Sequence, residues 1–184
     1  MHGGNDISYN KAIALKGRRK NVTDVVFLLN ITTIGQCACL RCVSLVTVVV
    51  PEGIESIGRA AFSCCTSLLN VTFQKSLKSI GKGAFNNCES IEAMDLSHTL
   101  LNSIGEYAFF NCSELKSLKL PLSVQSACYN AFYRCSKLVP STISTSAYAD
   151  NAPILAFLHK TSALSKLISL PSCTISDPPS TSSS

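Results

Sequence analysis

Cys37-Ala38-Cys39-Leu40-Arg41-Cys42, joined further on by Cys64-Cys65, is the densest group of chemistry-bearing side chains in this chain of 184 residues. Closely spaced thiols raise zinc, which takes four ligands converging on one point, usually as paired C-x-x-C or C-x-x-C/H-x-x-H half-sites. The histidines His2, His98 and His159 lie far apart. A Cys-His nucleophile pair needs one of them beside a reactive thiol in an electropositive setting, and nothing in the sequence arranges this. The acidic residues are few and scattered, and no phosphate-binding Gly-Lys loop, dinucleotide fingerprint or Gly-x-Ser-x-Gly elbow occurs. No catalytic, cofactor-binding or metal-binding residue is therefore expected, and no cofactor. The cysteines need another explanation, which their spacing supplies.

The sequence repeats. Ile57-Gly58-Arg59-Ala60-Ala61-Phe62-Ser63-Cys64-Cys65 returns as Ile80-Gly81-Lys82-Gly83-Ala84-Phe85-Asn86-Asn87-Cys88 and as Ile104-Gly105-Glu106-Tyr107-Ala108-Phe109-Phe110-Asn111-Cys112. Five copies align, with a central Ile or Ala at 34, 57, 80, 104 and 127, spaced by 23, 23, 24 and 23 residues. An alanine column (38, 61, 84, 108, 131) precedes an aromatic one, Cys39, Phe62, Phe85, Phe109 and Phe132. Cys42, Cys65, Cys88, Cys112 and Cys135 form a sulfur column, with Leu or Ile three residues later. A fixed period of this length is the signature of a solenoid, in which each unit buries its apolar face on the next. The columns take Cys42 and Cys65 into the core and Cys39 into the aromatic row, which leaves no convergent metal site.

Each coil then carries an alternating segment: Val48 and Val50, Val71 and Phe73, Met94 and Leu96, Leu118 and Leu120. Period two marks half-buried strands, and stacked coils align them in parallel about 4.8 Å apart. Ile54, Leu77, Leu101 and Val124 supply a short apolar edge on the returning side. Gly35, Gly58, Gly81 and Gly105 mark a positive φ or a close backbone approach, and Ala-Phe-x-x-Cys reads as one helical turn.

These residues resemble the BspA-like leucine-rich repeats. That family's pattern, P-x-x-(I/V)-x-x-I-G-x-x-A-F-x-x-C-x-x-L, matches residues 51–68, and the resemblance extends over about residues 22–138. It departs at the ends, where Leu28 stands for Pro, Cys39 for Phe and Ala127-Cys128 for Ile-Gly. Terminal repeats are commonly atypical because they cap the stack. The expected class is α/β: a leucine-rich repeat solenoid, a short right-handed stack of about five coils. One parallel sheet forms a face, with short helical turns and strands on the other side and a helical C-terminal cap. The resemblance implies a non-catalytic protein-binding module. The expected setting is an intracellular scaffold, with a cell-surface or secreted adhesin, or a purely structural fragment of a longer repeat protein, as alternatives.

Composition agrees with one domain: 46% hydrophobic and 15% charged residues, without Trp. The net charge of +5 owes much to Lys11, Lys16, Arg18, Arg19 and Lys20, read as a flexible basic arm over residues 1–21. The repeats carry no basic stripe interleaved with aromatics, so no nucleic-acid partner is expected. Residues 1–20 hold no secretory signal pattern and no apolar run reaches the roughly 18 residues of a membrane span. Stacked thiols run parallel instead of converging, and a bridge between them would strain the roughly 90° disulfide torsion. Free buried thiols favour a reducing compartment and hence a cytoplasmic location. Sequons at Asn21, Asn30, Asn70 and Asn111 carry little weight, since so short a motif arises by chance.

The open sheet face, within the solenoid at 22–140, carries the candidate site. Its outward residues are Val46, Thr47 and Val49, then Leu69, Asn70 and Thr72, then Glu92, Ala93 and Asp95, then Lys116, Ser117 and Lys119. Glu92 opposes Lys116 and Asp95 opposes Lys119, pairs worth about 0.2–1 kcal/mol each. The face is either self-neutralised and solvated or a strip for a protein partner, with Val46, Val49 and Leu69 as its apolar part. Beyond it, residues 141–170 are expected to cap the last coil through an amphipathic helix from Asn151 to Leu170. Residues 171–184, rich in Ser and Pro, form a disordered tail.

Overall fold

The computed structural model describes residues 13–15, 19–27, 30–128, 130–139 and 143–145. In chain order they form β1 (Ile13–Leu15), a 3-10 turn (Arg19–Asn21), β2 (Val25–Phe27), β3 (Thr33–Ile34), β4 (Thr47–Val49) and β5 (Ser56–Ile57). These are followed by β6 (Asn70–Thr72), β7 (Ser79–Ile80), β8 (Ala93–Asp95), β9 (Ser103–Ile104), β10 (Ser117–Leu120), β11 (Ser126–Ala127) and β12 (Ile143–Thr145). The strands are short because each coil must turn corners within its period. Stacking, not strand length, supplies the pairing.

Two parallel ladders run along the stack. On the return side β3, β5, β7, β9 and β11 make a continuous five-stranded sheet, in which Ile34, Ile57, Ile80, Ile104 and Ala127 stand in one row. On the broad side the sheet comes in two pieces, β4–β6 and β8–β10–β12, where the alternation implied a single face. Among the described residues no ladder joins β6 to β8. At that gap the inserted segment leaves the regular path: Asp95 Oδ1 accepts from the Ser97 amide and hydroxyl, and His98 Nε2 lies 2.9 Å from the Phe73 carbonyl. A carbonyl only accepts, so His98 donates from Nε2.

The core lies between the ladders. The Ala, Phe, Cys and Leu/Ile columns are buried in every coil, and the row of Ile54, Leu77, Leu101 and Val124 closes its other side. The phenyl rings stack along the axis: Phe62–Phe85, Phe85–Phe109 and Phe109–Phe132 have centroids 5.2, 5.4 and 5.2 Å apart and are nearly parallel. Phe73 meets Phe85 edge-on at 6.1 Å.

The Ala-Phe-x-x-Cys stretch is not a helical turn. Its amides alternate: Ala61, Ser63 and Cys65 bond three residues back within their coil, while Ala60, Phe62 and Cys64 bond to Lys82, Ala84 and Asn86 of the next. Sending every second N–H along the stack puts two left-handed residues in a coil, Ala60 (φ 51°) and Cys64 (φ 59°), and likewise Tyr107 and Asn111 at 56°. Each costs about 1–2 kcal/mol outside glycine, offset by bonds that an isolated turn would lack. The one helical element among the described residues is the 3-10 turn at Arg19–Asn21. The α part of the expected class is thus absent there, and the architecture is a parallel β-solenoid.

The glycine column serves close approach. A Cβ on Gly58 would stand 2.8 Å from the Ile34 oxygen, and one on Gly81 2.9 Å from the Ile57 oxygen. At the N-terminal end β1 pairs antiparallel with β2, so a hairpin spans the boundary expected at residue 21. The expected cap helix Asn151–Leu170 and the tail from Pro171 lie outside the described residues.

Candidate interaction surface

The cysteines that first suggested metal are spread through the core. Cys39, Cys42, Cys65, Cys88, Cys112 and Cys135 are buried, Cys37 and Cys64 half-buried. Among the described residues no group of three His, Cys, Asp or Glu side chains is placed to hold a metal ion. Four of the five column thiols do more than fill space. Cys65, Cys88, Cys112 and Cys135 donate S–H to the carbonyls of Cys39, Phe62, Phe85 and Phe109 in the preceding coil, at 3.0–3.3 Å. This sulfur ladder is absent from the column pattern, which shows only that a small residue sits there. The adjoining Cys42 thiol and burial push the Cys65 thiol far up, and burial does the same to Cys88 and Cys112. They stay protonated and are poor nucleophiles. His98 is exposed on its bulge and bonds the Phe73 carbonyl, with no thiol partner among the described residues.

The twelve residues expected to face outward do so, since alternation leaves Val48, Met94 and Leu118 to the core. Ser117 is half-buried and the others exposed. The N-terminal half of the face is apolar: Val49 is 57% exposed, Val46 and Leu69 42% each. Val26, 23 residues ahead of Val49, is also exposed at 45%. It was missed because the β2 segment precedes the first clear copy; its neighbours Val25 and Phe27 pack on the core.

The C-terminal half is charged and internally paired. Lys116 Nζ lies 2.9 Å from Glu92 Oε2, and Lys119 Nζ 2.9 Å from Asp95 Oδ2. All four side chains are about half exposed, so each pair contributes at most about 1 kcal/mol. The Ser97 hydroxyl, seconded by Lys119, holds Asp95 down at about 2. Further coil-to-coil pairs, Glu55–Lys78, Glu106–Lys82 and Glu114–Lys137, continue the pattern off the sheet. No helix among the described residues is long and apolar enough to cross a membrane.

Comparison with known proteins agrees with this geometry. None of the curated proteins matches the chain in sequence. Among solved structures, the T. pallidum leucine rich repeat protein is 32% identical over 59% of this chain and 50% of its own, with TM-score 0.55. A leucine-rich repeat protein from Eubacterium ventriosum is 26% identical over 70% of this chain and 33% of its own, with TM-score 0.57. A leucine rich cell surface protein from Faecalibacterium prausnitzii, 24% identical with TM-score 0.63, covers 70% and 33%. The chain thus spans half or less of the length of these relatives. The profile of the BspA type leucine rich repeat region matches residues 17–150 in six copies, one more than the columns counted. With its glycine approach, phenyl stack and sulfur column repeated coil upon coil, the chain belongs to the BspA-type leucine-rich repeat family.

Proposed function

We propose that this solenoid is a non-catalytic module that binds a protein partner through its broad sheet face. The observation that carries the reading is the exposed apolar strip of Val49, in β4, with Val46 and Leu69, which lead into β4 and β6. Exposed clusters of this kind on folded surfaces commonly mark interaction sites. Thr47, Asn70 and Thr72 border it with hydrogen-bonding groups. Glu92, Asp95, Lys116 and Lys119 present a neutralised, polar continuation that sets register more than affinity. The repeat family and the buried, protonated thiols agree with a non-enzymatic role. The test is the double variant Val49→Lys with Leu69→Lys. Its circular dichroism and melting midpoint should match the parent, while partner capture is lost; undiminished capture by a folded variant removes this face from the reading.

An intracellular scaffold is the setting that free, buried sulfur favours. One observation supports the cell surface instead: the Faecalibacterium prausnitzii relative is described as a cell surface protein. Counting thiols in denatured, unreduced protein separates the two. All ten free supports the interior, several bridges the exterior. A purely structural piece of a longer array is a further reading, consistent with the short span relative to solved relatives. Additional 23-residue units in the flanking coding sequence would favour it.

A further inference from the structure

The turn edge of the last coils carries aromatic side chains that the repeat does not require. The inward Phe row is demanded by the core. The residue after it reads Leu40, Ser63, Asn86, then Phe110 and Tyr133; Ser63 is buried and the other four are half-buried. Tyr107, Phe110 and Tyr133 are half-buried and touch in series, with Tyr107 edge-on to Phe110 at 5.6 Å and Phe110 against Tyr133 at 5.7 Å. The exposed Arg134 lays its guanidinium over both rings, 5.6 Å from Phe110 and 6.0 Å from Tyr133. Of the carboxylates around the ridge, Glu106 pairs with Lys82 and Glu114 with Lys137, while Glu89 accepts from the Asn111 side-chain amide. Among the described residues Arg134 has no carboxylate partner. An arginine held flat on aromatic faces keeps its N–H edge free for bidentate bonding.

We propose that this ridge is a second docking site, distinct from the sheet face, for an acidic peptide segment. The segment would set a carboxylate on Arg134 and an adjoining apolar or aromatic side chain on Phe110 and Tyr133. The positive charge of Arg134 selects the acid, and Tyr and Arg are among the residues enriched at interface hot spots. Single-stranded nucleic acid also stacks on aromatics, but it needs a track of cations along its backbone. Here Lys82 and Lys137 are neutralised and Glu89 lies beside the ridge at Asn111.

The test selects phage-displayed random dodecapeptides on the full chain, then measures a labelled, synthesised winner by fluorescence anisotropy. The winners should be enriched in Asp or Glu beside Phe, Tyr or Leu. Affinity should fall roughly thirtyfold with Arg134→Ala and with Tyr133→Ala, and less with Arg134→Lys. It should be unchanged in the Val49→Lys, Leu69→Lys variant, which separates this site from the sheet face. Both ridge variants are surface changes whose folding is checked by melting midpoint, and Arg134→Lys keeps the charge should Tyr133→Ala prove unstable. Winners without acidic enrichment, unaltered affinity in Arg134→Ala, or equal displacement by oligo(dT) would overturn the proposal.

Discussion

Replacing Gly105 with Ala probes the distance at which coils stack. The new Cβ would lie 2.6 Å from the Lys82 nitrogen and 2.7 Å from the Gly81 carbonyl carbon. Both are backbone atoms of the preceding coil, so no side-chain rotation relieves the contact. The flanking bonds are already close, at 2.8 Å from the Gly105 amide to Ile80 and 2.7 Å from the Phe85 amide to Ala108. Gly105 is not among the positive-φ glycines, so alanine suffers no backbone penalty and gains about 0.4–1 kcal/mol from a less disordered unfolded chain. Against that stand overpacking, about 1–3 kcal/mol, and weakening of an inter-coil bond worth about 1 kcal/mol. The net loss comes to about 2 kcal/mol, or a midpoint lower by roughly 4–8 °C for a domain of this size.

The chain contains its own comparison. Cys128 occupies the glycine column in the last copy, and its amide bond to Ile104 is 3.2 Å, against 2.7–2.8 Å in the three glycine coils before it. Gly83→Asn is the control, because its φ of +60° suits Asn and the nearest atom to an added Cβ is 3.7 Å away. Asn87 and Asn111 already hold left-handed positions. Urea unfolding followed by circular dichroism should rank Gly105→Ala well below Gly83→Asn, with the latter near wild type. Equal stability of Gly105→Ala and wild type would refute the claim that coil spacing, not turn geometry, fixes this glycine.

Phe85→Ala should cost about 4–5 kcal/mol and Phe132→Ala about 3, because Phe85 contacts three rings and Phe132 one; equilibrium unfolding reads both. Among the described cysteines, native labelling with a thiol reagent at pH 8 should reach Cys37 and Cys64 first. The buried Cys42, Cys65, Cys88, Cys112 and Cys135 should react only on unfolding; rapid modification of that column would contradict the sulfur ladder. Asp95 is held at about 2, chiefly by the Ser97 hydroxyl, below an unfolded value of about 4. Its depressed value means the stabilisation is complete above pH ~4 and disappears as pH falls toward 2. Asp95→Asn should therefore flatten that limb of the stability–pH curve, and an unchanged limb would assign the acid sensitivity elsewhere.

What the sequence exposes depends on whether a side chain or the backbone carries the information. The buried columns and the outward face were legible because burial selects side chains coil after coil. The Glu92–Lys116 and Asp95–Lys119 pairs followed from register alone. The turn was misread as helical because Ala60, Cys64 and Tyr107 bear no mark of a left-handed backbone. Their conformation is imposed by the next coil, whose carbonyls take alternate amides, and that partner is remote in sequence. The sulfur ladder was hidden for the same reason: a cysteine column looks apolar until the carbonyl of the preceding Phe is placed 3.1 Å from Cys88. The broken broad sheet shows the converse. One inserted residue, plain in the 24-residue spacing, signals an irregularity, but only the fold reveals His98 on Phe73 at the gap. Non-local backbone bonding therefore determines the features that a repeat pattern leaves unspecified, and it sets the spacing of the outward residues along the stack.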